Sequence, residues 1–416
     1  MNTVIITILI LLILLQFRTV FSKDYSLIWS PVTVISLCYI YYCIIPYFTG
    51  GSDIYNLGGA DNSVFLIGAL ISYVSVLIGY SKESHKDFVS WNNTFSKKNI
   101  LYCSVLVFLT AFVGYASFRG VHFSFVAEDN VNELVHTSFE HYFIELALLY
   151  VFAVGLIIFS FKEKVAKKWL WLFLYYVIVT MLFAGTRSRI VYLALASSAI
   201  IYLYPKPRRP NYPILGTLMV GLFVLFSVME YSRQYSNGIR MDRVQSMSRE
   251  DMTKGAEENN SVYWFSSLVM NAYDREGHYI LFEPIVTAVC MPIPRAVFPW
   301  KPNGQYLIDT QNMCIGNSEG GAAFLFFTEG YISFWWFGVI FYGWFLGWLS
   351  RRFWDNYRRN PHSMGACIAL AIFSASCYSY ISRGYLAASL EMFIYMVCLP
   401  FWIVKLAGKI SPKFRP

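Results

Sequence analysis

Three stretches place chemically capable side chains at close spacing. FAGTRSRIV (183–191) sets Arg187 and Arg189 two positions apart between apolar runs. MPIPRAVFPWKP (291–302) gathers Arg295, Trp300 and Lys301 among prolines 292, 294, 299 and 302, and FLFFTEGYISFWWFG (324–338) carries Glu329 at the start of an apolar run. Guanidinium is a planar, permanently charged fork that grips phosphate through paired hydrogen bonds, so these arginines suit an anionic ligand. Stiff, proline-rich backbone presenting two cations and an indole suits a phosphate beside a sugar ring; the alternative is a loop edge with Trp300 as an interfacial anchor. Glu329 suits proton transfer, the alternative being an ion pair with a nearby arginine. His278 in REGHY (275–279) is a second candidate base, and Glu230, Asp309 and Glu319 are further carboxylates in the same long interval.

The elements that must position these residues follow from composition. With 56% apolar residues, 19% aromatics and only 14% charged residues, the chain exceeds what a water-facing surface allows. Apolar runs cover 4–15, 27–48, 63–80, 100–117, 142–160, 169–184, 190–204, 213–229, 331–349, 364–381 and 392–407. Most approach the roughly 20 residues that cross a hydrocarbon core, so the expected fold is an all-α polytopic membrane protein of eleven spans, a single integral membrane domain over 1–416. The first run has no basic flank and no small-residue cleavage pattern, and reads as a helix rather than a leader. Only 230–330 separates consecutive spans by a long interval. In it 279–291 reads as an interfacial or re-entrant segment, and 261–273 as a helix along the membrane surface.

Charge orients the spans. One set of short connections and the C-terminus holds 21 Lys and Arg, the opposite set only Arg119, Arg187, Arg189 and Arg383. The richer side is expected to be cytoplasmic, which places the N-terminus and 230–330 outside and the C-terminus inside. The net charge of +8 is therefore spent on topology, and nucleic acid is not an expected partner. Kind is as informative as number, because ten of the twelve outer cations are arginine whereas most inner ones are lysine. The outer arginines, with Arg233 among them, point to an anionic ligand on that face. The spans on either side of Arg187 and Arg189 are about 16 and 15 residues long and reach roughly 24 Å, short of the roughly 30 Å core. Their turn is expected at headgroup level, where lipid phosphates lie; a pair of snorkelling arginines is the alternative.

Absent motifs narrow the chemistry. The chain has no D-x-D pair, no G-x-x-x-x-G-K-[S/T] loop, no Cys/His cluster at metal spacing and no G-x-S-x-G elbow. Neither a nucleotide-activated donor nor a metal or other cofactor is expected. Cys290 and Cys314 lie in the long interval and could pair, while the other six cysteines fall in spans.

The span layout, GTRSR (185–189), PRAVFPWKP (294–302) and EGYISFWWFG (329–338) together resemble the O-antigen polymerase (Wzy) family of oligosaccharide repeat-unit polymerases. The resemblance implies a GT-C-like, metal-independent glycosyltransferase in the bacterial inner membrane, with 230–330 as a periplasmic loop covering the active site. It implies undecaprenyl-pyrophosphate-linked oligosaccharides as both donor and acceptor, en bloc transfer with inversion, and a flippase and a chain-length regulator as partners. In such an enzyme Arg187, Arg295 and Lys301, supported by Arg189, Arg233 and Arg383, would neutralise the pyrophosphate leaving group. Trp300 would bind sugar, and Glu329 or His278 would take the acceptor proton. An O-antigen ligase shares the layout and the donor. A lipid-linked oligosaccharide flippase is the alternative from another class, although its cavity would carry charge through both leaflets.

Overall fold

The computed structural model describes residues 1–20, 24–49, 62–83, 100–119, 145–165, 187–217, 220–221, 258–293, 297–302, 304–316 and 323–410. Regular structure among the described residues is helical, with no strand. The apolar runs become α1 (Asn2–Val20), α2 (Pro31–Thr49), α3 (Ser63–Ser81), α4 (Ile100–Arg119), α5 (Leu146–Lys162) and α6 (Arg187–Leu203). The long interval contributes α7 (Glu258–Glu276), α8 (Glu283–Cys290) and α9 (Gln305–Ile315), and the C-terminal third forms α10 (Phe326–Arg359), α11 (Met364–Ser382) and α12 (Leu386–Leu406). Of these, α2, α3, α10, α11 and α12 are long and apolar enough to cross a membrane, and α1, α4, α5 and α6 contain shorter apolar helices. This is the architecture of a helical membrane protein. The expected spans at 169–184 and over most of 213–229 lie outside the described residues.

The chain divides into two compact units. The first comprises Met1–Asp87, Glu257–Arg358 and Ser376–Glu391, the second Phe88–Ala256, Arg359–Ala375 and Met392–Pro416. In the first unit, buried hydroxyls cross between α2 and α3, where Ser36 bonds Tyr73 at 2.8 Å and Tyr39 donates to Ser72 at 2.8 Å. Such bonds satisfy polar groups that lipid cannot hydrate. Gly343 and Gly347 of α10 lie against Ser72 and Val76 of α3, and a Cβ at Gly347 would overlap the Val76 carbonyl. Small residues one turn apart thus let two backbones meet. The opposite face of α10 exposes Phe337, Ile340, Phe341, Trp344 and Phe345, the surface a helix needs where it borders hydrocarbon.

Residues 261–273 form a helix, as expected, and in α7 they bury Val262, Tyr263, Phe265, Val269, Met270 and Tyr273. Tyr263 meets Phe65 of α3 edge-on at 4.5 Å, and Asn259 donates to the Tyr41 carbonyl of α2 at 3.1 Å. Apolar residues at helical spacing on more than one face made this stretch a packing helix. The segment at 279–291 holds the eight-residue α8, far too short to cross a membrane, with Phe282, Val286 and Val289 exposed. Cys290 and Cys314 are both free thiols.

In the second unit, Phe152 of α5 meets Phe401 of α12 edge-on at 5.0 Å, and Gly155 lies against Ile368 and Ile200. Lys162 ends α5 by donating from Nζ to the carbonyls of Ile200, Ile201 and Tyr204. An ammonium there bonds carbonyls at the C-terminal end of α6 and suits its dipole.

Candidate functional site

Glycines bound α9 at both ends, Gly304 at φ 76° before it and Gly316 at φ 65° after it, where Gly316 N–H donates to the Asn312 carbonyl at 2.9 Å. Gln305 Nε2 donates to Asp309 on the exposed face at 3.1 Å, while Tyr306, Thr310 and Gln311 form the buried face. Thr310 bonds the Tyr273 hydroxyl at 2.8 Å, fastening α9 to α7. Tyr306 reaches the EGYISFWWFG stretch, where its hydroxyl donates to Glu329 Oε1 at 2.6 Å.

Glu329 is 1% exposed. Besides Tyr306, its carboxylate accepts the Leu386 N–H, at 3.1 Å to Oε1 and 2.9 Å to Oε2. Leu386 opens α12, so Glu329 caps that helix from another part of the chain, a favourable place for a carboxylate because the first amides of a helix point outward unpaired. Gly384 N–H donates to the Phe324 carbonyl at 2.6 Å, and Gly304 abuts the Tyr385 ring. Three stretches remote in sequence, 304–306, 324–331 and 383–386, therefore converge on one carboxylate. Burial holds the Tyr306 phenol well above its ordinary pKa, and the neighbouring Glu329 charge adds to this. Tyr385 shifts the same way, first through burial and then through Glu391 and Glu329.

Just beyond Glu329 the helix breaks. Phe334 (φ −134°, ψ 28°) and Trp335 (φ 55°, ψ −142°) divide α10 into two pieces, folded so closely that Gly330 and Gly338 abut. A Cβ on Gly338 would overlap the Gly330 carbonyl oxygen, so both glycines of the motif are required by close approach. The break frees carbonyls that a continuous helix would use, and one of them, Ile332, accepts the Ile280 N–H at 3.0 Å. Trp335 holds a φ that costs a bulky residue on the order of 1–3 kcal/mol. Its indole Nε1–H donates to the Tyr331 hydroxyl at 3.1 Å, and Tyr331 donates to Asp274 Oδ1 of α7 at 3.0 Å.

The residues expected from sequence are distributed as follows. Glu329 makes no ion pair among the described residues and is tied to a phenol and a helix amide instead. His278 is exposed in the loop after α7, and Trp300 is 83% exposed. Lys301 Nζ donates to the carbonyls of Met291 at 3.0 Å and Ile293 at 2.9 Å. Arg383 is exposed between α11 and α12, next to the Gly384–Phe324 contact. Arg187 and Arg189 belong to the second unit. Arg187 opens α6, and the half-buried Arg189 gives its carbonyl to the Tyr150 hydroxyl at 2.8 Å. Arg233, Arg295 and the side chain of Arg187 lie outside the described residues. Sequence reasoning missed Tyr306, Tyr385 and Asp274, whose importance comes from partners remote in sequence. Among the described residues no three His, Cys, Asp or Glu side chains group as metal ligands.

Compared with known proteins, the chain matches no family model, no curated protein and no solved structure.

Proposed function

We propose that this protein polymerises undecaprenyl-pyrophosphate-linked oligosaccharides into surface polysaccharide, on the outer face of the bacterial cytoplasmic membrane. The observation that carries the reading is the meeting of the long interval with the EGYISFWWFG stretch: Tyr306 of the one bonds Glu329 of the other inside a buried contact. A loop that folds onto the mouth of a span suits a cover over chemistry done at the membrane surface, and the arginine-rich outer connections suit its anionic leaving group.

In this reading the acceptor hydroxyl oxygen attacks the donor's anomeric carbon as the bond from that carbon to pyrophosphate breaks. The electron pair leaves with undecaprenyl pyrophosphate, and the acceptor's proton passes to a base. The resemblance gives Arg187 and Arg295, supported by Arg189, Arg233 and Arg383, the task of neutralising the developing pyrophosphate charge, the kind of stabilisation that carries most weight in a dry site. Lys301 is a further cation of this set, and it also donates to the Met291 and Ile293 carbonyls. Glu329 is the first candidate base and His278 the second. With Tyr306 on Oε1 and Leu386 on both oxygens, the site is closed. Because the carboxylate is buried, proton transfer to Glu329 calls for the contact around it to open.

Deleting the gene and separating surface polysaccharide by gel tests the reading. Loss of a polymerase leaves a single repeat unit on the acceptor, loss of a ligase leaves none, and an unchanged ladder refutes both.

A further inference from the structure

Glu329 is sealed from solvent, yet the EGYISFWWFG stretch also reaches an exposed carboxylate. The chain of bonds runs from Trp335 Nε1 to the Tyr331 hydroxyl and from there to Asp274 Oδ1, at 3.1 and 3.0 Å. Tyr331 is buried, Asp274 is exposed, and Trp335 is 49% exposed. Each bond fixes the next, so a half-exposed indole stands in one orientation beside an accessible acceptor. Around it Tyr279 meets Tyr331 edge-on at 6.3 Å, Trp336 meets Tyr331 at 5.0 Å, and the exposed Phe282 meets Phe334 at 4.9 Å.

Backbone strain gathers at the same place. Among the described residues three non-glycine positions hold a positive φ, and two of them, Leu281 and Trp335, sit on segments joined by the Ile280 N–H to Ile332 carbonyl bond. Strained backbone persists where its surroundings over-determine it, and it is enriched at ligand clamps. The rigid face and the exposed carboxylate also define the ligand. A carboxylate accepts from hydroxyl groups and repels phosphate, and Asp274 and Glu276 flank Arg275 in the last turn of α7. An indole or phenol face packs on the C–H face of a pyranose, because its negative quadrupole meets weakly positive hydrogens.

From this we infer that Asp274, Tyr279 and Trp335 form a saccharide subsite, in which the indole stacks on a neutral pyranose and Asp274 accepts from its hydroxyls, oriented by Tyr331. The inference rests on the glycan-polymerising reading and deepens it, because the subsite would hold the sugar part of a chain whose pyrophosphate is gripped elsewhere. A membrane-anchoring role for Trp335 and Phe282 is the competing account, in which Asp274 serves only as the acceptor that fixes Tyr331.

The test uses the full-length protein, labelled with 5-fluorotryptophan, in nanodiscs of phosphatidylethanolamine and phosphatidylglycerol. The Trp335 fluorine resonance is assigned by its loss in Trp335→Phe. The probes are the methyl glycosides of glucose, galactose, mannose and N-acetylglucosamine, together with polysaccharide released from the producing cells by mild acid, with glycerol as control. At least one saccharide is expected to move the Trp335 resonance saturably in the wild type, and Asp274→Asn to weaken that binding about tenfold or more. No shift with any saccharide, or an Asp274→Asn variant that binds as the wild type does, overturns the inference and leaves Trp335 an anchor. The two readings fail separately. Saccharide binding by a protein whose deletion leaves the ladder intact removes the polymerase and keeps the subsite. Loss of the ladder on deletion, with Asp274→Asn and Trp335→Ala polymerising as the wild type does, removes the subsite and keeps the polymerase.

Discussion

Tyr306 and Glu329 are joined by a 2.6 Å hydrogen bond inside a buried contact, across 23 positions of sequence. A phenol from the long interval and a carboxylate from a span thus hold each other, and the same carboxylate caps α12 through the Leu386 amide. The pair binds the loop helix α9 to the mouths of two apolar helices. Tyr306→Phe removes one bond to a charged acceptor and is expected to lower stability by about 1–3 kcal/mol. The check is thermal unfolding in detergent together with proteolysis at 303–316, where the variant should be cut faster than the wild type.

Glu329→Gln separates a base from a latch. Gln weakens the bonds to Tyr306 and Leu386 in either case, so the base is read from turnover: polymer formation from purified lipid-linked repeat unit should collapse in Glu329→Gln and fall far less in Tyr306→Phe, which loses one of the same contacts. A latch alone gives the two variants similar turnover and similarly lowered melting temperatures. Full turnover in the Gln variant moves the base to His278 or removes the need for one.

Arginine chemistry is tested by keeping the charge and changing its shape. Arg187→Lys and Arg295→Lys should lose most activity, because an ammonium lacks the fork that spans two phosphate oxygens. Alanine at either position should cost on the order of 100-fold in turnover. Wild-type polymer from both alanine variants at equal expression would remove these residues from the mechanism.

The abutting glycines of the kink give a purely structural prediction. Gly338→Ala drives a methyl group into the Gly330 carbonyl, with backbone rather than a flexible side chain in the way. A destabilisation of about 1–3 kcal/mol is expected, read as a lower melting temperature and reduced membrane abundance. A variant as stable as the wild type would show that the kink can open without cost.

Reporter fusions test orientation. Fusions after Lys98, Lys168, Arg209 and Arg359 should report cytoplasm and those within 235–260 the outside, since short connections rich in Lys and Arg stay inside. A cytoplasmic signal from residue 250 would place the long interval on the wrong face for outer-surface chemistry.

Among the described residues the sequence alone located several of the apolar helices, because a bilayer-spanning helix satisfies its own backbone and needs only length and hydropathy to be recognised. Runs such as 63–80 and 364–381 reappear within a residue or so as Ser63–Ser81 and Met364–Ser382. It also marked EGYISFWWFG as special, without showing that its two glycines touch or that its helix breaks at Trp335. Only the tertiary structure turned 261–273 into a packed helix, gave Glu329 a phenol and a helix amide in place of an arginine, and tied Lys301 to two carbonyls. It alone brought Asp274 to Tyr331. Those partners lie many residues apart, and periodicity reports which face of a helix is apolar without reporting which helix will cover it.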